Sequence, residues 1–73
     1  MREAILTILK SGTGHGVEFA GRLNVYPSTN GKFAIEIDRS EYVYFDNAEQ
    51  AVDKYLSLRQ ERELGFDFET KGA

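Results

Sequence analysis

The chain has 73 residues, nine basic and twelve acidic side chains, a formal net charge of -3 and no cysteine. A polypeptide this short buries only ~60% of the surface its unfolded form exposes, which leaves little core for a deep, dry active-site pocket. The missing thiols exclude disulfide frameworks, thiolate zinc sites, iron–sulfur clusters and cysteine nucleophiles.

A reducing, cytosolic compartment is therefore expected. The apolar stretch near Met1 is too short for a secretory h-region, and no run approaches the ~18 to 20 apolar residues of a membrane span. Residues 1–40 hold five basic against four acidic side chains, whereas residues 41–73 hold four against eight. The acidic second half speaks against generic binding to nucleic-acid phosphates or an anionic membrane, since both need a surplus of Lys and Arg on one face.

In chain order, Glu3 to Ser11 fits two patterns. Ala4, Ile5, Ile8 and Leu9 fit a helix face, and Ala4, Leu6 and Ile8 fit a strand face. Two isoleucines, a threonine and the polar Lys10-Ser11-Gly12 ending favour the strand. Ser11 to Gly16 is then a hairpin loop, with helix–three strands–helix as the alternative. From Val17 to Val25 the alternation is almost unbroken, with Val17, Phe19, Leu23 and Val25 on one side, Glu18, Arg22 and Asn24 on the other, and Ala20 and Gly21 between. Period two predicts a half-buried strand. Tyr26 to Gly31 concentrates turn formers, and Asn30-Gly31 tolerates positive φ. Phe33, Ile35 and Ile37 mark the next strand, Asp38 to Glu41 a turn, and Tyr42 to Phe45 a further strand rich in β-branched and aromatic residues.

At Asp46 the period changes. Ala48, Ala51, Val52, Tyr55, Leu56 and Leu58 recur at helical spacing, predicting one amphipathic helix from about Asn47 to Leu64. Asp46 and Glu49 fit an N-cap and its capping-box partner, and Gly65 a helix stop. Residues 1–65 thus read as one globular domain. Residues 66–73 read as a tail, partly flexible or partner-pairing, in which Phe66-Asp67-Phe68-Glu69 alternates like an added strand. The expected fold is α+β: a small antiparallel meander of three to four strands with one C-terminal helix on one face.

Chemistry-bearing residues are sparse. Gly12-Thr13-Gly14-His15-Gly16 lacks the Gly-Lys-Ser/Thr ending and following helix of a phosphate loop, so a flexible tip is expected. His15 is the only histidine and has no carboxylate near it in sequence with which to share a metal. Glu41, Asp46, Glu49 and Asp53 lie at an exposed turn and helix start, where nothing desolvates or separates a carboxylate pair. Ser11, Ser28, Ser40 and Ser57 have no partnered base. No enzyme, no cofactor, no metal and no small-molecule substrate is expected.

The tyrosines carry more. A two-residue Arg39-Ser40 turn buries Tyr42 and Tyr44, whereas a loop one residue longer buries Val43 and Phe45 and exposes both tyrosines. The second register is favoured because Val43 and Phe45 are the more apolar pair. The outer sheet face then carries Ala20, Tyr26, Ala34, Tyr42 and Tyr44, a composition that suits a contact surface.

Tyr44-Phe45-Asp46-Asn47-Ala48-Glu49-Gln50-Ala51-Val52-Asp53-Lys54-Tyr55 resembles the strand-to-helix junction of AP2-type and phage-integrase arm-type DNA-binding domains. The resemblance implies a sheet that enters a DNA groove. Those domains place basic and aromatic side chains on the sheet, whereas Glu18, Glu36, Asp38 and Glu41 would meet phosphates here. The segment order and acidic second half are also loosely similar to small phage inhibitors that imitate DNA, including some anti-CRISPR proteins.

The reading that results is a cytosolic, non-enzymatic interaction or assembly module, expected to be a homodimer. Its candidate surface is Tyr26, Tyr42, Tyr44, Phe66 and Phe68. The alternatives are a sheet-based nucleic-acid binder with Arg22, Lys32 and Arg39 on phosphates, and an acidic inhibitor using the carboxylates of the helix.

Overall fold

The structure, a computed structural model, describes residues 1–72, with side chains through Glu63. The chain runs α1 (Arg2–Lys10), β1 (Val17–Phe19), β2 (Leu23–Pro27), β3 (Phe33–Ile37), β4 (Glu41–Phe45) and α2 (Ala48–Gly72). The four strands form one antiparallel meander in the order β1-β2-β3-β4. Helix α2 packs across one face of the sheet and α1 lies along α2. The α+β meander with a C-terminal helix is as expected.

The N-terminal segment is a correction, since Arg2–Lys10 is a helix and not a strand. Of the strand-face set only Leu6 is buried; Ala4 is exposed and Ile8 is 39% exposed. Ile5, Leu6 and Leu9 fall on one helical face and are buried, so the period of 3.6 outweighs the β preference of isoleucine and threonine. The Thr7 hydroxyl donates to the Glu3 carbonyl at 2.9 Å. Glu3 in the first turn and Lys10 in the last oppose the helix dipole favourably.

The second correction explains how the sheet still reaches four strands. Val17–Val25 is two strands, because Ala20 (φ 55°) and Gly21 (φ 68°) turn the chain back and the Arg22 amide donates to the Phe19 carbonyl at 3.0 Å. The period-two pattern survives the turn because Phe19 pairs with Leu23 and Val17 with Val25. Ser11–Gly16 is accordingly a linker from α1 to β1, not a hairpin tip, tied by the Ser11 hydroxyl donating to Ile8 carbonyl at 2.7 Å. Its last residue lies against β2: a Cβ on Gly16 would crowd the Val25 carbonyl and sit 2.7 Å from Tyr26 Cβ. The turn before β3 has Asn30 and Gly31 at φ 60° and 74°, as the Asn-Gly pair predicts. Pro27 closes β2 beyond the end of β1, where no ladder donor is needed on that side.

Ile37 pairs with Glu41 across the three-residue loop Asp38–Ser40, which sets Val43 opposite Ile35 and Phe45 opposite Phe33. This is the register that points both tyrosines outward. The loop repeats the first turn, with Asp38 and Arg39 at φ 52° and 66° and the Ser40 amide on the Ile37 carbonyl at 3.2 Å. Left-handed backbone costs such residues roughly 1–2 kcal/mol each. The strained loop is held from both sides: the Asp38 amide donates to the Arg22 carbonyl at 2.8 Å, and Arg62 of α2 clasps the Asp38 carboxylate through two bonds of 2.7 and 2.8 Å.

The cap of α2 is a third correction. Asn47, not Asp46, caps the helix, its side-chain oxygen accepting the Gln50 amide at 2.8 Å. Asp46 is drawn away to Lys32 at 2.8 Å, and Glu49 ion-pairs with Lys10 instead of closing a capping box. The helix also continues through Gly65 to Gly72, so the predicted stop and the added strand over Phe66–Glu69 are replaced by helix. One glycine costs a helix only about 1 kcal/mol relative to alanine, too little to end it without a competing partner. The Phe66 and Phe68 side chains lie outside the described residues.

The core joins Leu23, Val25 and Ile35 of the sheet to Ala48, Ala51, Val52 and Tyr55 of α2 and to Ile5, Leu6 and Leu9 of α1. Burying each of the larger side chains contributes about 1.5–3 kcal/mol.

Candidate interaction surface

The face of the sheet turned away from α2 is built by strict alternation. Tyr26, Ala34 and Tyr44 are cross-strand neighbours in one row, and Asn24, Glu36 and Tyr42 in the next, with Glu18 beside Asn24. Tyr42 is 49% and Tyr44 58% exposed, while Tyr26 is half-buried. Ala34 is fully buried although it points outward, because tyrosines flank it in register on both sides. That is a correction to its expected exposure, and Ala20 sits in the β1–β2 turn and not within the face.

The three tyrosines form one patch. Burial is the main cause that raises the Tyr26 hydroxyl's pKa above its ordinary value, followed by the neighbouring Tyr44, Tyr42 and Glu36. Glu18 and Glu36 give the same face an acidic border, and they line a recess of about 250 Å3 together with Arg22, Asn24 and Arg39. Strand alternation in the sequence already placed Glu18 and Asn24 on one side, but the close packing of Tyr26, Ala34 and Tyr44 needed the register.

Most of the carboxylates weighed for acid–base or inhibitory work are dispersed and engaged. Asp53 pairs with Arg2 at 2.7 Å, Asp46 with Lys32, Glu49 with Lys10, Asp38 with Arg62 and Glu63 with Arg59 at 3.4 Å. A hydrogen bond from the paired cation is the leading cause that lowers the pKa of Asp38, Asp46 and Glu49. Such pairing splits the negative charge into local couples instead of the regular line of free charges that a phosphate backbone presents. Glu41 stands exposed at the start of β4.

The three cations assigned to phosphates do not converge. Arg22 and Arg39 share the recess at one end of the sheet, Arg39 Nε also donating to the Gly21 carbonyl at 3.3 Å. Lys32 lies at the far end of β3, about 17 Å away along the strand, and holds Asp46. His15 is exposed in the linker, its amide donating to the Thr13 hydroxyl at 3.3 Å. Among the described residues, no three of His, Asp and Glu gather as a metal site and no helix is long and apolar enough to cross a membrane. No protein family, no curated protein and no solved structure matches the chain.

Proposed function

We propose that this protein is a non-enzymatic assembly module of the cytosol, a homodimer that associates through the tyrosine-bearing side of its sheet. The observation that carries the reading is the patch of Tyr42 and Tyr44, about half exposed, beside Tyr26 and the buried Ala34. Tyrosine supplies large contact area at low entropy cost and is enriched at interface cores. A core this small gains proportionally from a partner. In the recess beside the aromatics Glu18 and Glu36 offset Arg22 and Arg39, so the face carries no basic surplus for phosphates. Sedimentation equilibrium at tens of micromolar tests the reading. The wild-type chain is expected to dimerise and Tyr44→Ser to weaken the dimer several-fold, while Phe66→Ser and Phe68→Ser leave it intact. A monomeric wild-type chain overturns the assembly reading, and a dimer lost only with the phenylalanines moves the interface to the tail.

A further inference from the structure

An interface on this side of the sheet has two geometries available, face against face or edge against edge. The strand that bears Tyr42 and Tyr44 is also the outer strand of the sheet. Among the described residues, no backbone hydrogen bond from a loop or helix reaches β4. An edge strand turns alternate N–H and C=O groups outward, and proteins usually guard such edges with lysine, proline, a bulge or brevity. Glu41-Tyr42-Val43-Tyr44-Phe45 has no lysine or proline, and its one charge stands at its start. The opposite edge, β1, is only three residues long.

The sequence of β4 is complementary to itself in one direction. Antiparallel pairing about a two-fold axis at Val43 sets Tyr42 opposite the partner's Tyr44 on the outer face. On the inner face it sets Val43 opposite the partner's Val43 and Glu41 opposite the partner's Phe45. The two Glu41 carboxylates then stand four residues apart along the strand, about 14 Å at strand rise, whereas parallel pairing would set them side by side. We infer that β4 pairs antiparallel with β4 of a second copy, joining two four-stranded sheets into one of eight strands. The inference rests on the assembly reading above and adds to it the strand, the direction and the register. Only five residues per copy form the new ladder, so the dimer belongs to the weak end of specific interfaces.

The absence of native cysteine allows a direct test, because every single substitution to cysteine introduces one thiol. Opposed residues of an antiparallel pair have Cα atoms about 4.5–5.5 Å apart, within the usual disulfide span of ~4.4–6.8 Å. Under mild oxidation Val43→Cys is expected to link to itself. An equimolar mixture of Tyr42→Cys and Tyr44→Cys is expected to give a several-fold excess of the mixed disulfide over either same-variant dimer. Both tyrosines are exposed, so this second arm decides the question even where Val43→Cys fails to fold, as read by its thermal transition. Same-variant links at Tyr42→Cys or Tyr44→Cys without the mixed product would overturn edge pairing while leaving face-to-face assembly standing. No links, together with a monomeric wild-type chain in sedimentation, would overturn both.

Discussion

At the scale of single residues, the stability of the fold depends on what α2 buries. Val52 is fully buried between the sheet and the helices. Val52→Asp puts an unpaired charge into that site and is expected to unfold the protein, because the penalty exceeds what a chain of this size holds in reserve. A thermal midpoint equal to wild type would contradict helix-on-sheet packing. Tyr55 makes the opposite case: its ring is fully buried and its hydroxyl has no hydrogen-bond partner among the described residues. Burial is the leading cause that raises its pKa, opposed by the charge of Arg59 and by the approach of that guanidinium to the hydroxyl, which stops short of a well-formed hydrogen bond. Tyr55→Phe removes only the unsatisfied oxygen, so stability is expected to rise by about 1 kcal/mol in denaturant titration. A loss of that size would mean that the hydroxyl is engaged.

At the scale of elements, the helix start separates two assignments. Asn47→Ala should cost about 1 kcal/mol, since it removes the acceptor of the Gln50 amide. Asp46→Ala should cost a few tenths, because it removes only an exposed ion pair with Lys32. Urea midpoints of the two variants check the order, and equal losses would restore Asp46 as a cap. Both residues are good caps by type; in the fold Asp46 faces Lys32, 14 positions earlier, and Asn47 accepts the Gln50 amide. The same limit governs α1. Its apolar residues satisfy both periods locally, and the choice is made by the buried face that α2 offers to Ile5, Leu6 and Leu9. Ala20-Gly21 could be read as small residues within a strand or as a turn, because a turn that keeps Phe19 opposite Leu23 leaves the alternation unbroken. The outward tyrosines were legible because Val43 and Phe45 are the more apolar alternate set and claim the inner face. The buried Ala34 was not, since it depends on cross-strand neighbours.

At the scale of the whole molecule, ion pairs tie the layers together. Arg2–Asp53 and Lys10–Glu49 hold α1 to α2, Lys32–Asp46 joins β3 to the start of α2, and Arg62–Asp38 fastens α2 to the β3–β4 loop. Asp38, Asp46 and Glu49 have pKa values below the unfolded values of 3.8, 3.8 and 4.5. Their contribution is therefore present above the ordinary carboxylate range and is lost as pH falls through the lowered values. The thermal midpoint is expected to be flat from neutral pH to about 5 and to drop below about 4, with a shallower drop at molar salt. A midpoint that rises on acidification would contradict the pairing.

On the proposal above, the tyrosine-bearing edge of the sheet is where one molecule meets another. Amide hydrogen exchange followed residue by residue, from micromolar to millimolar protein, tests it most directly. Exchange within β4 is predicted to slow as concentration rises while β1, at the opposite edge, stays unchanged. Exchange in β4 that is independent of concentration, or slowing confined to β1, would contradict association through β4.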